Sequence, residues 1–345
     1  MLRVAIFGAA GYGGVELIRL LLAHPEVQIA YLGGHSNVDE SLTDLYPHLL
    51  GDLDAVIGPS AVAPALEQAD LLFSALPHAV GAPLVGEALR AGAKVIDFSA
   101  DFRLKDPQVY ARHYEEHPAP HLLEQAVYGL PELHRKEIKK TRLLAVPGCY
   151  PTGAILALAP AVKAGLIEHQ GIIVDSKSGV SGAGRTKMTL MTHFAEINDS
   201  VQAYNVAKHR HQPEIEQELG SLGGPVGVTF TPHLMPMTRG ILTTAYGRLQ
   251  PGIGRGEVES AYRAFYKSEP FVTVLPWAKQ PATKHVSGSN RCHLGLTIDE
   301  PARLLIVTSV IDNLIKGLSG AAVQCLNLMQ GWPETTALER PAMWP

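Results

Sequence analysis

Cysteine is scarce in this chain of 345 residues, which has only Cys149, Cys292 and Cys325. So small and odd a set builds no disulfide framework, and a reducing, cytoplasmic setting is the expectation. Charge is sparse as well. Charged residues make up 18% of the chain and the formal net charge is −4. Lys and Arg never run beyond a pair, which excludes a nucleic-acid partner, whose phosphates demand a concentrated positive surface. Long apolar runs are missing too: none approaches the ~18 residues of a membrane span. The apolar opening, residues 2–10, runs directly into glycines with no basic region or cleavage signal, so it does not read as a secretory leader. Internal repeats and low-complexity segments are absent.

Glycine and proline are plentiful, at 33 and 25 residues, in a chain that is 46% hydrophobic. That length and composition fit two globular domains joined by many tight turns. Short apolar runs at residues 4–7, 27–32, 71–76 and 94–98 alternate with helical spacing at 15–22 and 79–91. Such alternation predicts an α/β fold, with a doubly wound parallel sheet of Rossmann type. Residues 102–126 are polar and rich in His and Glu, and read as a long surface excursion. After residue 148 the pattern changes. Strands at 171–177, 226–231, 241–249, 293–298 and 304–311 are joined irregularly, which predicts an α+β domain with a mixed or antiparallel sheet. The expected boundaries are 1–148 for a dinucleotide-binding domain and 149–311 for a catalytic, substrate-binding and oligomerisation domain. A closing helix and tail, 312–345, would return to the first.

Gly8, Gly11, Gly13 and Gly14 lie where the first strand turns into the first helix. Glycines there let a pyrophosphate approach backbone amides at the positive end of a helix dipole. A turn without a ligand is the plainer reading, but continued β–α alternation downstream favours a dinucleotide. The second strand ends in Gly33-Gly34-His35-Ser36-Asn37, with no acid before Asp39. An acid would hold a free ribose hydroxyl and repel a phosphate, so its absence favours NADP(H). No Arg stands there either, leaving Ser36 and His35 to serve.

Pro147-Gly148-Cys149-Tyr150-Pro151-Thr152-Gly153 places a cysteine after a turn and at the start of a helix, with proline where a first turn tolerates it. A helix N-terminus favours thiolate. Cys292 and Cys325, by contrast, read as buried structural residues. His209 and His211 flank Arg210 just before a helix. The pair alone could be surface or metal-ligating, but no further Cys or His stands at zinc spacing, so no metal is expected.

The cysteine segment resembles the active-site signature of the N-acetyl-gamma-glutamyl-phosphate reductase family, related to aspartate-semialdehyde dehydrogenases. Other stretches carry the resemblance along the whole chain: Ala75-Leu76-Pro77-His78, Asp97-Phe98-Ser99-Ala100-Asp101-Phe102-Arg103, residues 178–185, His209-Arg210-His211-Gln212-Pro213-Glu214-Ile215 and Asp312-Asn313-Leu314-Ile315-Lys316-Gly317. The resemblance implies a glyceraldehyde-phosphate-dehydrogenase-like second domain and a homodimer or homotetramer. It also implies NADPH-dependent reduction of a small acyl phosphate, with release of phosphate, through a Cys149 thioester. One of His209 and His211 would be the acid–base, with the choice open. Tyr12, Ser36, Ser74, Pro77, Ser181, Gly182 and Asn313 would join the four loop glycines around the cofactor. Arg103 and Arg185 would hold the substrate's anionic groups. Rival readings are a reductase of carrier-linked aminoadipyl phosphate in lysine biosynthesis, an aspartate-semialdehyde dehydrogenase, and a non-catalytic nucleotide sensor. A cysteine hydrolase would have no use for the glycine loop.

Overall fold

The computed structural model describes residues 1–186 and 189–344. Its first sheet comprises β1 (Leu2–Phe7), β2 (Val27–Gly34), β3 (Gly58–Pro59), β4 (Leu71–Ser74), β5 (Lys94–Asp97), β6 (Ala126–Tyr128) and β7 (Leu143–Ala145). All pairings are parallel, in the order β3-β2-β1-β4-β5-β7-β6. The chain therefore leaves β1 toward β2 on one side and resumes at β4 on the other. A crevice opens there at the carboxyl ends of the strands, the usual ligand position in such sheets. Residues 4–7 and 71–74 are buried throughout, as expected of parallel strands covered on both faces.

Residues 102–126 are in large part exposed, as a surface excursion is, but the segment is also anchored in the core. Phe102, Leu122 and Leu123 join the core around Phe7 and Val95, and a short helix, Pro107–His113, forms. The fully buried Tyr110 donates its hydroxyl to Asp101 Oδ1 at 2.7 Å, and the buried His117 ring bonds the Asp101 carbonyl. These apolar residues follow neither a helical nor an alternating period, so their burial depends on tertiary partners rather than on pattern.

Seven further strands form the second sheet: β8 (Ile172–Ser178), β9 (Gln202–Ala203), β10 (Val228–Leu234), β11 (Ile241–Arg248), β12 (Val272–Val274), β13 (Cys292–Asp299) and β14 (Leu304–Ile311). Their order is β12-β13-β14-β11-β8-β10-β9, and the sheet is mixed. β8, β10 and β11 alternate strictly between buried and less buried residues, so helices cover one face and the other is open. The helix Cys149–Lys163 packs on the covered face, with every residue from Tyr150 to Val162 buried. Hydroxyls fasten it there: Ser309 donates to the Gly153 carbonyl at 2.8 Å, and Tyr262 donates to that of Ala157 at 2.6 Å.

The chain divides into two compact units, the first holding Met1–Pro147 together with Gly184–Thr186 and Leu318–Glu339. The second begins at Gly148, runs to Gly317 apart from that short return, and takes the last residues from Arg340. The expected closing piece 312–345 is thus divided. Asp312, Asn313 and Lys316 are buried within the second unit, and the Met343 N–H bonds the Ser287 carbonyl at 2.8 Å.

Candidate active site

In the first unit, β1 ends at Phe7 and the helix Tyr12–Leu21 begins five residues later, with Gly11 as its N-cap. Gly8 has φ +78°, and a Cβ there would lie 2.4 Å from the Ala75 carbonyl oxygen, so only glycine turns the chain at this point. Gly14 lies so close to the loop that a Cβ would meet the Gly8 oxygen at 2.3 Å. Gly11 is tight as well: a Cβ there would lie 3.3 Å from the Gly8 oxygen. No side chain caps the helix and no acid stands in its first turn. The loop is accordingly open to an anion, as a dinucleotide pyrophosphate requires. Ser74 is buried at the end of β4, while Ser36 is exposed beyond β2, its hydroxyl 3.3 Å from Asn37 Oδ1.

The two arginines hold places that the sequence does not foretell. Arg103 is buried, and two of its N–H groups donate to the carbonyls of Val146 and Phe98, at 2.8 and 2.7 Å. It fastens the backbone just ahead of Pro147. Arg185 returns to the first unit. Its Nη1 donates to the Ala10 carbonyl at 3.2 Å, and its guanidinium lies over the Tyr46 ring, 5.3 Å from the centroid.

In the second unit, Cys149 is the first residue of its helix and Gly148 the N-cap, with no acid in the first turn. Partial exposure leaves the thiol accessible, whereas Cys292 and Cys325 are buried. The buried Glu214 accepts the Gly148 N–H at 2.8 Å, and the Thr152 hydroxyl donates to the Gly148 carbonyl at 3.0 Å. Gly317 lies against the cysteine from the other side: a Cβ there would be 2.8 Å from that of Cys149. It belongs to a wide π-type turn, Ile315–Ser319, in which Lys316 is fully buried beside the Phe271 ring.

Beside the helix start lies an aromatic cluster. The ring of His209 packs edge-on against Tyr150, Tyr204 and Phe230, with centroids 5.7, 5.6 and 5.2 Å away. Tyr204 donates its hydroxyl to that of Tyr150 at 3.0 Å, and Tyr150 donates onward to the His233 carbonyl at 3.3 Å. Burial raises the pKa of both tyrosines, Tyr204 to about 12, and negative charge on Cys149 pushes each in the same direction. Both hydroxyls stay protonated near the thiol. His209 Nδ1 accepts the His211 N–H at 3.1 Å, so the neutral ring carries its proton on Nε2. Burial, reinforced by Arg210, lowers the His209 pKa to about 4 and keeps that ring neutral. His211 is the N-cap of the helix Gln212–Gly223.

Asn313 is a junction within the second unit. Its Oδ1 accepts the Gly240 N–H at 2.8 Å and its Nδ2 donates to Ser181 Oγ at 2.9 Å. The side chain ties three segments together, with Gly182 next to that junction. Asp312 Oδ1 accepts from the N–H groups of Leu314 and Ile315, as a capping residue does.

Glu214, Tyr150, Tyr204 and Lys316 are the residues that sequence reasoning missed. For Glu214 a signal existed: an acid at the third position of the helix that His211 caps. Nothing in the order of residues aligns Tyr204 with Tyr150. Among the described residues, no group of three His, Cys, Asp or Glu side chains could hold a metal ion. Nor is any helix there long and apolar enough to cross a membrane.

A glycine loop at the switch point of one sheet and a helix-terminal cysteine on a second, mixed sheet define the class of two-domain semialdehyde dehydrogenases. Residues 3–141 match the family model described as semialdehyde dehydrogenase, NAD binding domain, and residues 149–313 the one described as semialdehyde dehydrogenase, dimerisation domain. The same fold occurs in aspartate semialdehyde dehydrogenase II of Vibrio cholerae, with a TM-score of 0.73 at 17% identity over 96% of this chain and 98% of that one. It recurs in the Candida albicans aspartate semialdehyde dehydrogenase with NADP, with a TM-score of 0.72 at 16% identity over 96% of this chain and 98% of that one. At such identities the likeness is one of fold. The chain belongs to the N-acetyl-gamma-glutamyl-phosphate reductase family. It is 50% identical to the N-acetyl-gamma-glutamyl-phosphate reductase of Pelotomaculum thermopropionicum, over 99% of both chains. It is 47% identical to that of Heliobacterium modesticaldum, over the full length of both.

Proposed function

We propose that the chain reduces N-acetyl-L-glutamyl 5-phosphate to N-acetyl-L-glutamate 5-semialdehyde and phosphate in arginine biosynthesis, with NADPH as reductant and Cys149 as nucleophile. One observation carries this reading: a thiol at the first residue of an acid-free helix start, its preceding amide held by buried Glu214. Helix-end amides stabilise a thiolate and the negative charge of an acyl phosphate under attack. The identity of 50% to a protein of that name supports the choice of acyl chain.

Cys149 sulfur adds to the acyl carbon; a C–S bond forms, the C–O bond to phosphate breaks, and the departing phosphate takes the thiol proton. His209 donates its Nε2 proton as a hydrogen bond to the acyl oxygen while charge develops there; a neutral imidazole suits that role. A bound nicotinamide supplies hydride. Once the thioester carbon has received it, the tetrahedral oxyanion re-forms a carbonyl and the C–S bond breaks. The aldehyde leaves, and Cys149 recovers a proton from solvent. A thioester accepts hydride more readily than a carboxylate, which is the reason for the covalent stage.

NADP(H) is the preferred cofactor on this reading, because no acid follows β2 before Asp39. The functional unit is a homo-oligomer of at least two copies joined through the open face of the second sheet. There Ile173, Tyr246 and Ile306 line up in register across β8, β11 and β14, and Ile173 is 47% exposed. The three free thiols fit a reducing cytoplasm.

Oxidation of N-acetyl-glutamate semialdehyde by NADP in the presence of phosphate tests the reading. Turnover is expected with this substrate and not with aspartate semialdehyde; the reverse preference would overturn the choice of acyl chain. His209→Asn should slow turnover far more than His211→Asn, and equal rates in the two variants would refute the assignment to His209.

A further inference from the structure

We propose that Arg185 is a cofactor-binding residue that holds the dinucleotide's pyrophosphate at the glycine loop. The inference rests on the reading of that loop as a dinucleotide site. It extends that reading by a residue more than 170 positions from the loop, and replaces the expectation that Arg185 holds the acyl substrate.

Three observations converge. Gly184–Thr186 folds with the first unit, although the strand and turn that precede it in sequence belong to the second. Within that unit Arg185 Nη1 donates to the carbonyl of Ala10, the residue just before Gly11 in the loop. Tyr46 supplies the other side: its hydroxyl donates to the same carbonyl at 2.9 Å, and its ring lies under the guanidinium. One backbone oxygen and one aromatic face therefore fix the group.

A guanidinium has five N–H donors, and the Ala10 carbonyl and the Tyr46 hydroxyl leave others to spare. Among the described residues no carboxylate pairs with Arg185, and the helix behind the loop has no acid in its first turn. A cation held beside uncapped helix amides, with no anion of its own, matches the chemistry of a pyrophosphate. Its planar fork can take two phosphate oxygens at once, which a lysine cannot do. Contact with Ala10 places it at the loop rather than at residues 35–37, where a ribose phosphate would be read.

Equilibrium titration of the full chain with NADPH and with NADH, followed by nicotinamide fluorescence, tests the assignment. Arg185→Met should weaken both by about the same factor, roughly tenfold, because both carry the pyrophosphate. Arg185→Lys should recover part of the loss, and Tyr46→Phe should weaken both cofactors by less than Arg185→Met. The rate of Cys149 alkylation should be unchanged in every variant, which verifies an intact second unit. Unchanged affinity for both cofactors in Arg185→Met would overturn the proposal, and so would a loss confined to NADPH, which would place Arg185 on the ribose phosphate. If the unaltered chain bound neither cofactor, the functional reading itself would fall and this assignment with it. Binding by the unaltered chain combined with indifference to Arg185→Met would remove only the assignment.

Discussion

The chain contains two seven-stranded sheets that use their surroundings in opposite ways. The first is wholly parallel, and the ligand chemistry proposed for it belongs to the backbone: amides at a glycine turn where the strand order reverses. The second is mixed, and the chemistry proposed for it belongs to side chains, Cys149, His209 and Glu214, gathered near the start of two helices on its covered face. Backbone recognition tolerates little change in main-chain geometry but leaves side chains free. Side-chain chemistry needs a few groups placed to a fraction of an ångström, hence the buried hydroxyl anchors along the helix Cys149–Lys163.

The largest separation should come from Cys149→Ala. Turnover is expected to fall roughly ten-thousandfold while the affinity for NADPH stays within about twofold. A comparable loss of cofactor affinity would show that binding and chemistry are not divided between the two regions.

Stability against pH should differ in sign between them. Burial raises the Asp97 carboxyl of the first unit from 3.8 to about 7. The folded chain keeps a proton there that the unfolded chain releases, so the contribution is whole at low pH and is lost as pH rises from about 4 through 7, up to about 4 kcal/mol. His209 runs the other way. Its folded value of about 4 lies below the ordinary 6.5, so the unfolded chain binds the proton first, and stability falls as pH drops from about 6.5 to 4, by up to about 3 kcal/mol. Denaturant unfolding between pH 4 and 8 should show Asp97→Asn flattening the upper limb and His209→Gln the lower one. Identical profiles for the two variants would contradict this.

Smaller effects should sort the glycines. Gly8→Ala forces a positive φ and a contact with Ala75, and should weaken NADPH binding about a hundredfold. Gly317→Ala displaces Cys149 and should lower kcat by a similar factor, about a hundredfold, at unchanged cofactor affinity. Crossed outcomes, with Gly317→Ala costing affinity, would blur the division. Glu214→Gln should have the smallest effect, lowering kcat about tenfold by weakening a charge-assisted hydrogen bond to the Gly148 amide. The rate of Cys149 alkylation, read alongside, should fall with it.

Much of this was legible in the residues, and the reason is local. The glycine loop, the strand–helix alternation and the proline-flanked cysteine are signals carried within a few positions of each other. The core anchors within residues 102–126 are not legible in this way, because Tyr110 and His117 are satisfied by Asp101 and no periodicity announces such partners. Arg103 and Arg185 share a residue type and a plausible task, yet one fastens main-chain carbonyls and the other crosses to the glycine loop. Nor does the order of residues show that Asn313 ties Gly240 to Ser181.

By itself, the sequence determined the two kinds of sheet, the glycine turn and the helix-terminal thiol, because each depends on backbone preferences and short-range patterning. Only the tertiary structure decided which histidine is held neutral, what secures the amide before Cys149 and where each arginine goes. Those outcomes depend on desolvation and on hydrogen-bond partners tens to hundreds of residues away, such as Glu214 on Gly148 and Arg185 on Ala10.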